Sequence, residues 1–180
     1  NACSPGEIIL TTGIHGLSKL GFMIQNKNNF ENDISLNERL IKQSIEHFCR
    51  PKIYPHFLTN LLKTRSNKKI TRIGCTDSSD GLFQAVQDLA IASNCKAIMN
   101  YKKIPKDKDW PKGDKWDEYY FFGGEDYELV FSLPKKWAKN LSKLDKDINE
   151  IGFFADGEPS IEFKDNKKNK LFNNTPFKHF

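Results

Sequence analysis

The sequence predicts an α+β fold, a mixed sheet with helices packed on one face. Strand-like and helix-like segments are mixed along the 180 residues, and the last strands form a close pair around a turn. Hydrophobic residues make up 38% of the chain, which excludes a disordered protein and suffices for a single core. We therefore predict one folded domain that covers residues 1–180.

The first part of the chain predicts one strand followed by three helices. Glu7–Thr12 has the apolar content of a short strand, and a helical run follows it. Ser35 and Glu38 form a capping box for a second helix, which Pro51 ends. Pro55–Thr64 carries an apolar stripe typical of a third helix.

The second part alternates strands with helices. Apolar residues at helical spacing from Leu82 to Ala90 and from Trp137 to Leu144 predict two helices. Lys106–Lys115 predicts a charged loop. Strands are predicted at Ile70–Thr76, Ala97–Tyr101, Glu128–Leu133, Ile151–Ala155 and Ser160–Phe163, the last two joined as a hairpin at Asp156-Gly157.

Charge and hydropathy narrow the classes of function. The formal net charge is +5, but only four arginines occur and the lysines are dispersed, so solvated lysines explain the charge better than a nucleic-acid surface. No apolar run reaches the ~18 residues of a membrane span, and no export signal is evident. We therefore expect a soluble cytoplasmic protein that binds neither nucleic acid nor membrane.

The cysteines and histidines do not suggest a metal centre. Cys3, Cys49, Cys75 and Cys95 are too far apart for a structural zinc site. We expect buried thiols in a reducing compartment. The four histidines are equally scattered, so a metal site would have to use oxygen ligands.

The first motif that carries chemistry is Asp77-Ser78-Ser79-Asp80-Gly81-Leu82, between a predicted strand and a predicted helix. A helix start favours phosphate, and paired carboxylates supply the hard oxygens that Mg²⁺ takes beside substrate phosphates. In the alternative interpretation Ser79 or Asp80 only caps the helix, although no cap requires Asp77.

The second motif is Gly123-Gly124-Glu125-Asp126-Tyr127-Glu128-Leu129, three acids behind a glycine pair. The glycines allow close backbone approach or positive φ. The acids can hold a cation or accept a hydrogen bond from an amine, or else they face solvent in an ordinary turn. A similarity to the Gly-Gly-Asp-Glu-Phe loop of diguanylate cyclases is poor, because the acid order and the aromatic residue differ.

Together the two motifs resemble the C-terminal half of thiamine-monophosphate kinases. Asp77–Leu82 is similar to that family's Asp-x-Ser-Asp-Gly-Leu, and Gly123–Leu129 to its Gly-Gly-Glu-Asp-Tyr-Glu-Leu. Pro5–Gly13, Arg50-Pro51 and Phe177–Phe180 resemble further family segments, so the resemblance covers essentially the whole chain. It implies a two-layer α/β sandwich of the aminoimidazole ribonucleotide synthetase C-terminal type.

The resemblance also implies an activity, a role for each site residue and a second domain. ATP would phosphorylate thiamine monophosphate to thiamine diphosphate by direct transfer, with several Mg²⁺ ions. Asp77 and Asp80 would be Mg²⁺ ligands, Ser79 would contact ATP, and Glu125 and Phe177 would bind the thiamine moiety. Residues 1–180 would be the C-terminal domain, and an N-terminal domain absent from this chain would carry most other ligands and a homodimer interface, so this chain alone would be inactive.

Some positions depart from the family pattern, and two other functions stay open. Asn26–Asp33 is an enlarged Asn-rich loop, and Pro176 and Lys178 replace the family's usual Gly and Asp beside Phe177. A sister ATP-dependent enzyme of the same superfamily is one alternative. The other is a non-catalytic basic module that binds nucleic acid, whose binding would depend on salt.

Overall fold

A computed structural model of the chain describes residues 3–26, 36–67 and 72–164. Within these ranges six strands form one mixed sheet. They are β1 (Ile8–Thr12), β2 (Cys75–Asp77), β3 (Lys96–Met99), β4 (Leu129–Leu133), β5 (Ile148–Ala155) and β6 (Ser160–Phe163). The strand order is β2-β4-β1-β5-β3-β6, antiparallel except for the parallel pair β3 and β6.

The same ranges contain six α-helices. They are α1 (Leu17–Gln25), α2 (Glu38–Cys49), α3 (Phe57–Thr64), α4 (Leu82–Ser93), α5 (Asp114–Phe122) and α6 (Lys135–Leu144). The predicted α+β class with a mixed sheet is confirmed. None of the helices in the described ranges combines the length and apolar character needed to cross a bilayer.

The central strand β1 is buried on both sides because its side chains alternate between two apolar clusters. Ile9 faces the larger cluster, which joins the sheet to α1, α2, α4 and α5. Ile8 and Leu10 face the smaller cluster, where α3 and α6 cover the opposite face of the sheet. Four helices thus cover one face of the sheet and α3 and α6 cover the other, whereas the prediction placed helices on one face only.

Two local predictions are wrong. The strands β5 and β6 do not pair as a hairpin, because β3 lies between them and bonds to both. The predicted loop Lys106–Lys115 is a loop as far as Gly113, but Asp114 begins α5, a helix that the sequence did not predict, which continues to Phe122 and buries Trp116, Tyr120 and Phe121.

Two further details of the prediction concern helix starts and thiols. Helix α2 begins at Glu38, and its N-cap is Asn37, whose side chain accepts the Arg39 N–H at 2.9 Å; Ser35 lies outside the described residues. The four cysteines are free thiols. Cys3 and Cys95 are buried and Cys75 is half-buried, whereas Cys49 is exposed.

Candidate functional site

The two sequence motifs meet at one end of the sheet. Strand β2 ends at Asp77 and pairs antiparallel with β4, so that Asp77 lies opposite Leu129. Backbone hydrogen bonds then join the loops: the Ser78 N–H donates to Glu128 O at 2.9 Å, and the Glu125 N–H donates to Ser79 O at 2.8 Å. Two segments about 50 residues apart in sequence therefore form one surface.

The first loop presents its carboxylates at this surface. Asp77 is exposed, and its Oδ1 accepts the Ser79 N–H at 2.9 Å. Its second oxygen accepts no hydrogen bond from any residue the structure describes. Ser79 and Asp80 are half-buried, and the N-cap position of α4 belongs to Gly81, whereas the alternative interpretation placed the cap at Ser79 or Asp80.

The second loop alternates between buried and accessible residues. Asp126 is fully buried and Glu128 is 1% exposed, whereas Tyr127 is 46% exposed and Glu125 is half-buried. The alternative in which all three acids face solvent is therefore wrong for Asp126 and Glu128. Only Glu125 directs its carboxylate toward the side on which Tyr127 lies.

Asp126 joins the second loop to the start of α1. Its Oδ2 accepts the Gly16 N–H at 2.6 Å and its Oδ1 accepts the Ser18 N–H at 2.9 Å. A carboxylate at this position satisfies amides that have no partner within the helix and interacts favourably with the helix dipole. Burial raises the pKa of Asp126 to about 6, although the two amide hydrogen bonds and His47 oppose the rise.

Glu128 joins the same loop to β1 and to the chain after α2. It accepts hydrogen bonds from Thr12 Oγ1 at 2.5 Å and from the Tyr54 hydroxyl at 3.0 Å. Thr12 Oγ1 in turn accepts the Leu129 N–H at 2.8 Å. Gly13 has a φ of 51° and touches the carboxylate so closely that a Cβ there would lie 2.0 Å from Glu128 Oε1. The position therefore requires glycine.

Two histidines complete the buried network behind the loop. His15 is fully buried and its Nε2 lies 2.7 Å from Thr11 Oγ1, while its Nδ1 has no hydrogen-bond partner among the described residues. Burial lowers the pKa of His15 to about 4. His47 lies between the two carboxylates, with ring nitrogens 3.7 Å from Asp126 and 3.6 Å from Glu128.

The backbone of the second loop places Glu125 and Tyr127 in left-handed conformations, with φ of 68° and 53°. The Tyr127 hydroxyl donates to Glu125 Oε2 at 2.7 Å. That hydrogen bond and the charges of Glu125 and Asp77 raise the pKa of Tyr127. Gly123, by contrast, has a φ of −70° and is needed for close approach, since a Cβ there would lie 2.2 Å from Tyr119 O.

An open groove of about 550 Å³ lies beside Tyr127. Its walls are mainly apolar, and its lining includes Ile53, Tyr54, Leu58, Tyr127 and Leu129. Ile53 is 82% exposed and Leu58 is 62% exposed, so this is an unusually apolar stretch of surface next to the site.

The structure brings together four of the five predicted site residues: Asp77, Ser79 and Asp80 in the first loop and Glu125 in the second. Phe177 lies outside the described residues. Within the described ranges no three His, Cys, Asp or Glu side chains are grouped to hold a metal ion. The sequence did not identify Thr12, Gly13, His15, His47 or Tyr54 as neighbours of the site, because their partners are far away in the chain.

Comparison with known proteins identifies relatives over almost the entire chain, although no family model matches it. The thiamine-monophosphate kinase of Prochlorococcus marinus is 34% identical over 176 residues, which cover 98% of this chain and 53% of that protein. The thiamine-monophosphate kinase of Synechococcus elongatus is 28% identical over 177 residues. The chain spans about half the length of the curated relatives it matches.

Solved structures share the fold. The thiamine-monophosphate kinase of Stenotrophomonas maltophilia superposes with a TM-score of 0.72 at 19% identity, covering 91% of this chain and 52% of that one. AaThiL, complexed with AMPPCP and TMP, gives 0.68 at 23% identity and covers 91% of this chain and 49% of that one. At these identities the similarity shows a common architecture.

Proposed function

Because the chain is homologous to thiamine-monophosphate kinases along nearly its whole length, we propose that it is the C-terminal domain of an ATP-dependent kinase. The kinase would convert thiamine monophosphate to thiamine diphosphate. The observation that carries this proposal is the joining of the Asp77–Leu82 and Gly123–Leu129 motifs into one surface by backbone hydrogen bonds. AaThiL is complexed with AMPPCP and TMP, which supports ATP and thiamine monophosphate as the two ligands.

Each site residue has a proposed role. Asp77 and Asp80 hold Mg²⁺, which neutralises phosphate charge when it is bound; their hard oxygens at an accessible loop fit that ion. Ser79 contacts ATP. Glu125 accepts a hydrogen bond from the thiamine aminopyrimidine, and Phe177 packs on the thiamine moiety.

The metal site requires ligands beyond this chain. Asp77 and Asp80 supply two of the oxygen ligands, substrate phosphates and waters can supply others, and the described residues hold no group of three His, Cys, Asp or Glu side chains that could bind a metal ion. We propose that an N-terminal domain, which also forms the homodimer interface, supplies the remainder. The match of this chain to about half the length of its relatives supports that proposal.

Direct phosphoryl transfer suits the rest of the chemistry. Such a reaction depends on positioning and charge neutralisation, and it needs no protein nucleophile. His15, fully buried beside Thr11, and His47, half-buried beside Ser18, contribute hydrogen bonds and packing behind the loop. In this scheme a phosphate oxygen of thiamine monophosphate attacks the γ-phosphorus of ATP, the bond between that phosphorus and the β,γ-bridging oxygen breaks, and ADP leaves.

The basic excess does not favour a nucleic-acid surface. Basic side chains on separate elements pair with acids, as in Lys96 with Glu162, Lys103 with Glu150 and Lys106 with Asp117. Paired cations on different parts of the surface do not form the continuous positive stripe typical of phosphate-backbone binding. We propose that nucleic acid is not a partner.

The test is an assay of the full-length protein with ATP, Mg²⁺ and thiamine monophosphate, measuring thiamine diphosphate by chromatography. Unphosphorylated thiamine serves as the control acceptor, because it keeps the rings but lacks the attacking phosphate. We expect turnover with thiamine monophosphate and none with thiamine. Product from thiamine alone, or no product from either acceptor, would contradict the proposal. The 180-residue chain, assayed in parallel, is expected to be inactive.

A further inference from the structure

The Tyr127 side chain occupies an exposed position, yet it makes a directed hydrogen bond. Its hydroxyl donates to Glu125 Oε2 at 2.7 Å, and no other described residue is bonded to that hydroxyl. The ring is 46% exposed, so burial in the core does not explain its orientation. The orientation instead follows from the backbone of the loop and from the groove beside it.

Three features fix this pair in place. Glu125 and Tyr127 both have positive φ, a conformation that is costly for residues other than glycine and persists only where the surroundings enforce it. Between them, Asp126 is buried and bonded to two amides of α1. Next in the chain, Glu128 is held by Thr12 and Tyr54. The buried acids therefore anchor the loop, and the accessible pair projects from it.

The hydrogen bond from Tyr127 uses only one of the two carboxylate oxygens of Glu125. Oε2 accepts from Tyr127, whereas Oε1 accepts no hydrogen bond from any described residue. A carboxylate held by one oxygen has its rotamer fixed while the other oxygen stays available to a ligand donor. Pre-organisation of this kind improves affinity because less side-chain freedom is lost on binding.

We propose that Tyr127 is a positioning residue that orients Glu125 for hydrogen bonding to the amine of the substrate. This inference rests on the proposed function, in which Glu125 binds the aminopyrimidine. Tyr127 acts through Glu125 and does not itself bind Mg²⁺ or ATP. Its ring lines the apolar groove together with Tyr54 and Leu129, and this position keeps the hydroxyl directed at the Glu125 carboxylate.

A double-mutant cycle in the full-length protein tests the proposal. Tyr127→Phe keeps the ring and removes only the hydroxyl, and Glu125→Gln removes the charged acceptor. Titration calorimetry measures Kd for thiamine monophosphate and, separately, for ATP in the wild type, both single variants and the double variant. The control is Tyr101→Phe, which lies outside the loop and deletes another tyrosine-to-carboxylate hydrogen bond, to Asp117, together with the one that the hydroxyl accepts from Lys106.

We expect Tyr127→Phe to weaken thiamine monophosphate about tenfold and to leave ATP within about twofold, as for the loss of one hydrogen bond to a charged group. In the Glu125→Gln background the same substitution should change Kd less than about twofold, since the residue acts through Glu125. Tyr101→Phe should change neither Kd. The melting temperature of Tyr127→Phe should match the wild type.

The outcomes separate the two proposals. If the wild type binds thiamine monophosphate and Tyr127→Phe binds it equally well, or loses the same factor in both Glu125 backgrounds, the positioning role is overturned and the proposed function stands. If Tyr127→Phe weakens both ligands equally, the role is likewise overturned. If the wild type fails to bind thiamine monophosphate, the proposed function and this inference both fail.

Discussion

The two loops of the candidate site contain similar acidic residues but place them differently. In the first loop Asp77 is exposed and Asp80 half-buried, on the connection between β2 and α4. In the second loop Asp126 and Glu128 are buried and bonded to α1, β1 and Tyr54, and only Glu125 is accessible. A carboxylate in a motif therefore has either a chemical or an anchoring role, and its burial and partners decide which.

The largest expected effect tests the chemical role of the first loop. Asp77→Asn or Asp80→Asn in the full-length protein should lower kcat at least ~100-fold, or about 3 kcal/mol in barrier, because an amide binds Mg²⁺ poorly. For Asp77→Asn the melting temperature should hardly change, since Asn keeps the Oδ1 that accepts the Ser79 N–H. The control is Asp88→Asn, an exposed acid on α4 whose loss should not affect kcat. A lowered melting temperature with intact kcat would assign Asp77 an anchoring role.

The pH dependence of stability tests the buried residues His15 and Asp126 behind the second loop. His15 has a pKa of about 4 in the fold against an ordinary 6.5, so its stabilisation is present above pH 6.5 and is lost as pH falls through 4. Asp126 has a pKa of about 6 against 3.8, so its stabilisation is present below pH 3.8 and is lost as pH rises through 6. The two contributions oppose each other in the wild type.

Single substitutions should separate these contributions. From pH 4 to 6.5, His15→Gln should lose about 3 kcal/mol of unfolding free energy, and Asp126→Asn should gain about 3 kcal/mol, at ~1.4 kcal/mol per pKa unit. Chemical denaturation at three pH values in this range measures the change for each variant relative to its own value at pH 4. Parallel curves for the two variants would refute the opposing titration of His15 and Asp126.

A smaller effect is expected at the contact between Gly13 and Glu128. Gly13→Ala should destabilise the protein by about 2 to 3 kcal/mol, because the new Cβ collides with the buried carboxylate at a positive φ. Gly6→Ala is the matched control, since Gly6 also has a positive φ of 87° but a Cβ there meets nothing within 4 Å. It should cost only the backbone strain, about 1 kcal/mol. Equal losses would show that the steric contact is unimportant.

The smallest effect concerns ligand selectivity on the accessible side. Glu125→Gln and Phe177→Ala should each weaken thiamine monophosphate by about 1 to 3 kcal/mol and ATP much less, as for a lost hydrogen bond or stacking contact. Binding titrations with both ligands measure the difference. If Phe177 is a docking anchor instead, its substitution should lower the melting temperature and weaken both ligands alike.

The sequence predicted most elements because their apolar periodicity is strong. The apolar runs of β1 and β4 and the helical stripe of α4 identified core residues without tertiary information. Helix α5 was not predicted, because Asp114 and Lys115 continue a charged stretch and its buried residues include Asp117 as well as aromatics. The β5–β6 hairpin was wrong because a turn signal does not reveal that β3 inserts between two strands.

The candidate site was predictable only as far as its local motifs. Asp77, Ser79, Asp80 and Glu125 stand in short motifs whose residue types indicate their chemistry. The anchoring roles of Asp126 and Glu128 depend on Gly16, Ser18 and Thr12, more than 100 positions earlier in the chain. Such pairings arise from the order of strands in the sheet, and no local pattern encodes them.

The alternation within the second loop limits how its length can vary. Because Asp126 and Glu128 point inward while Glu125 and Tyr127 lie on the accessible side, deleting or inserting one residue between Gly124 and Leu129 would move Asp126 away from the α1 amides or Glu128 away from Thr12. In the first case the α1 amides would lose their acceptor. Length variants of this domain are therefore not expected between Gly124 and Leu129.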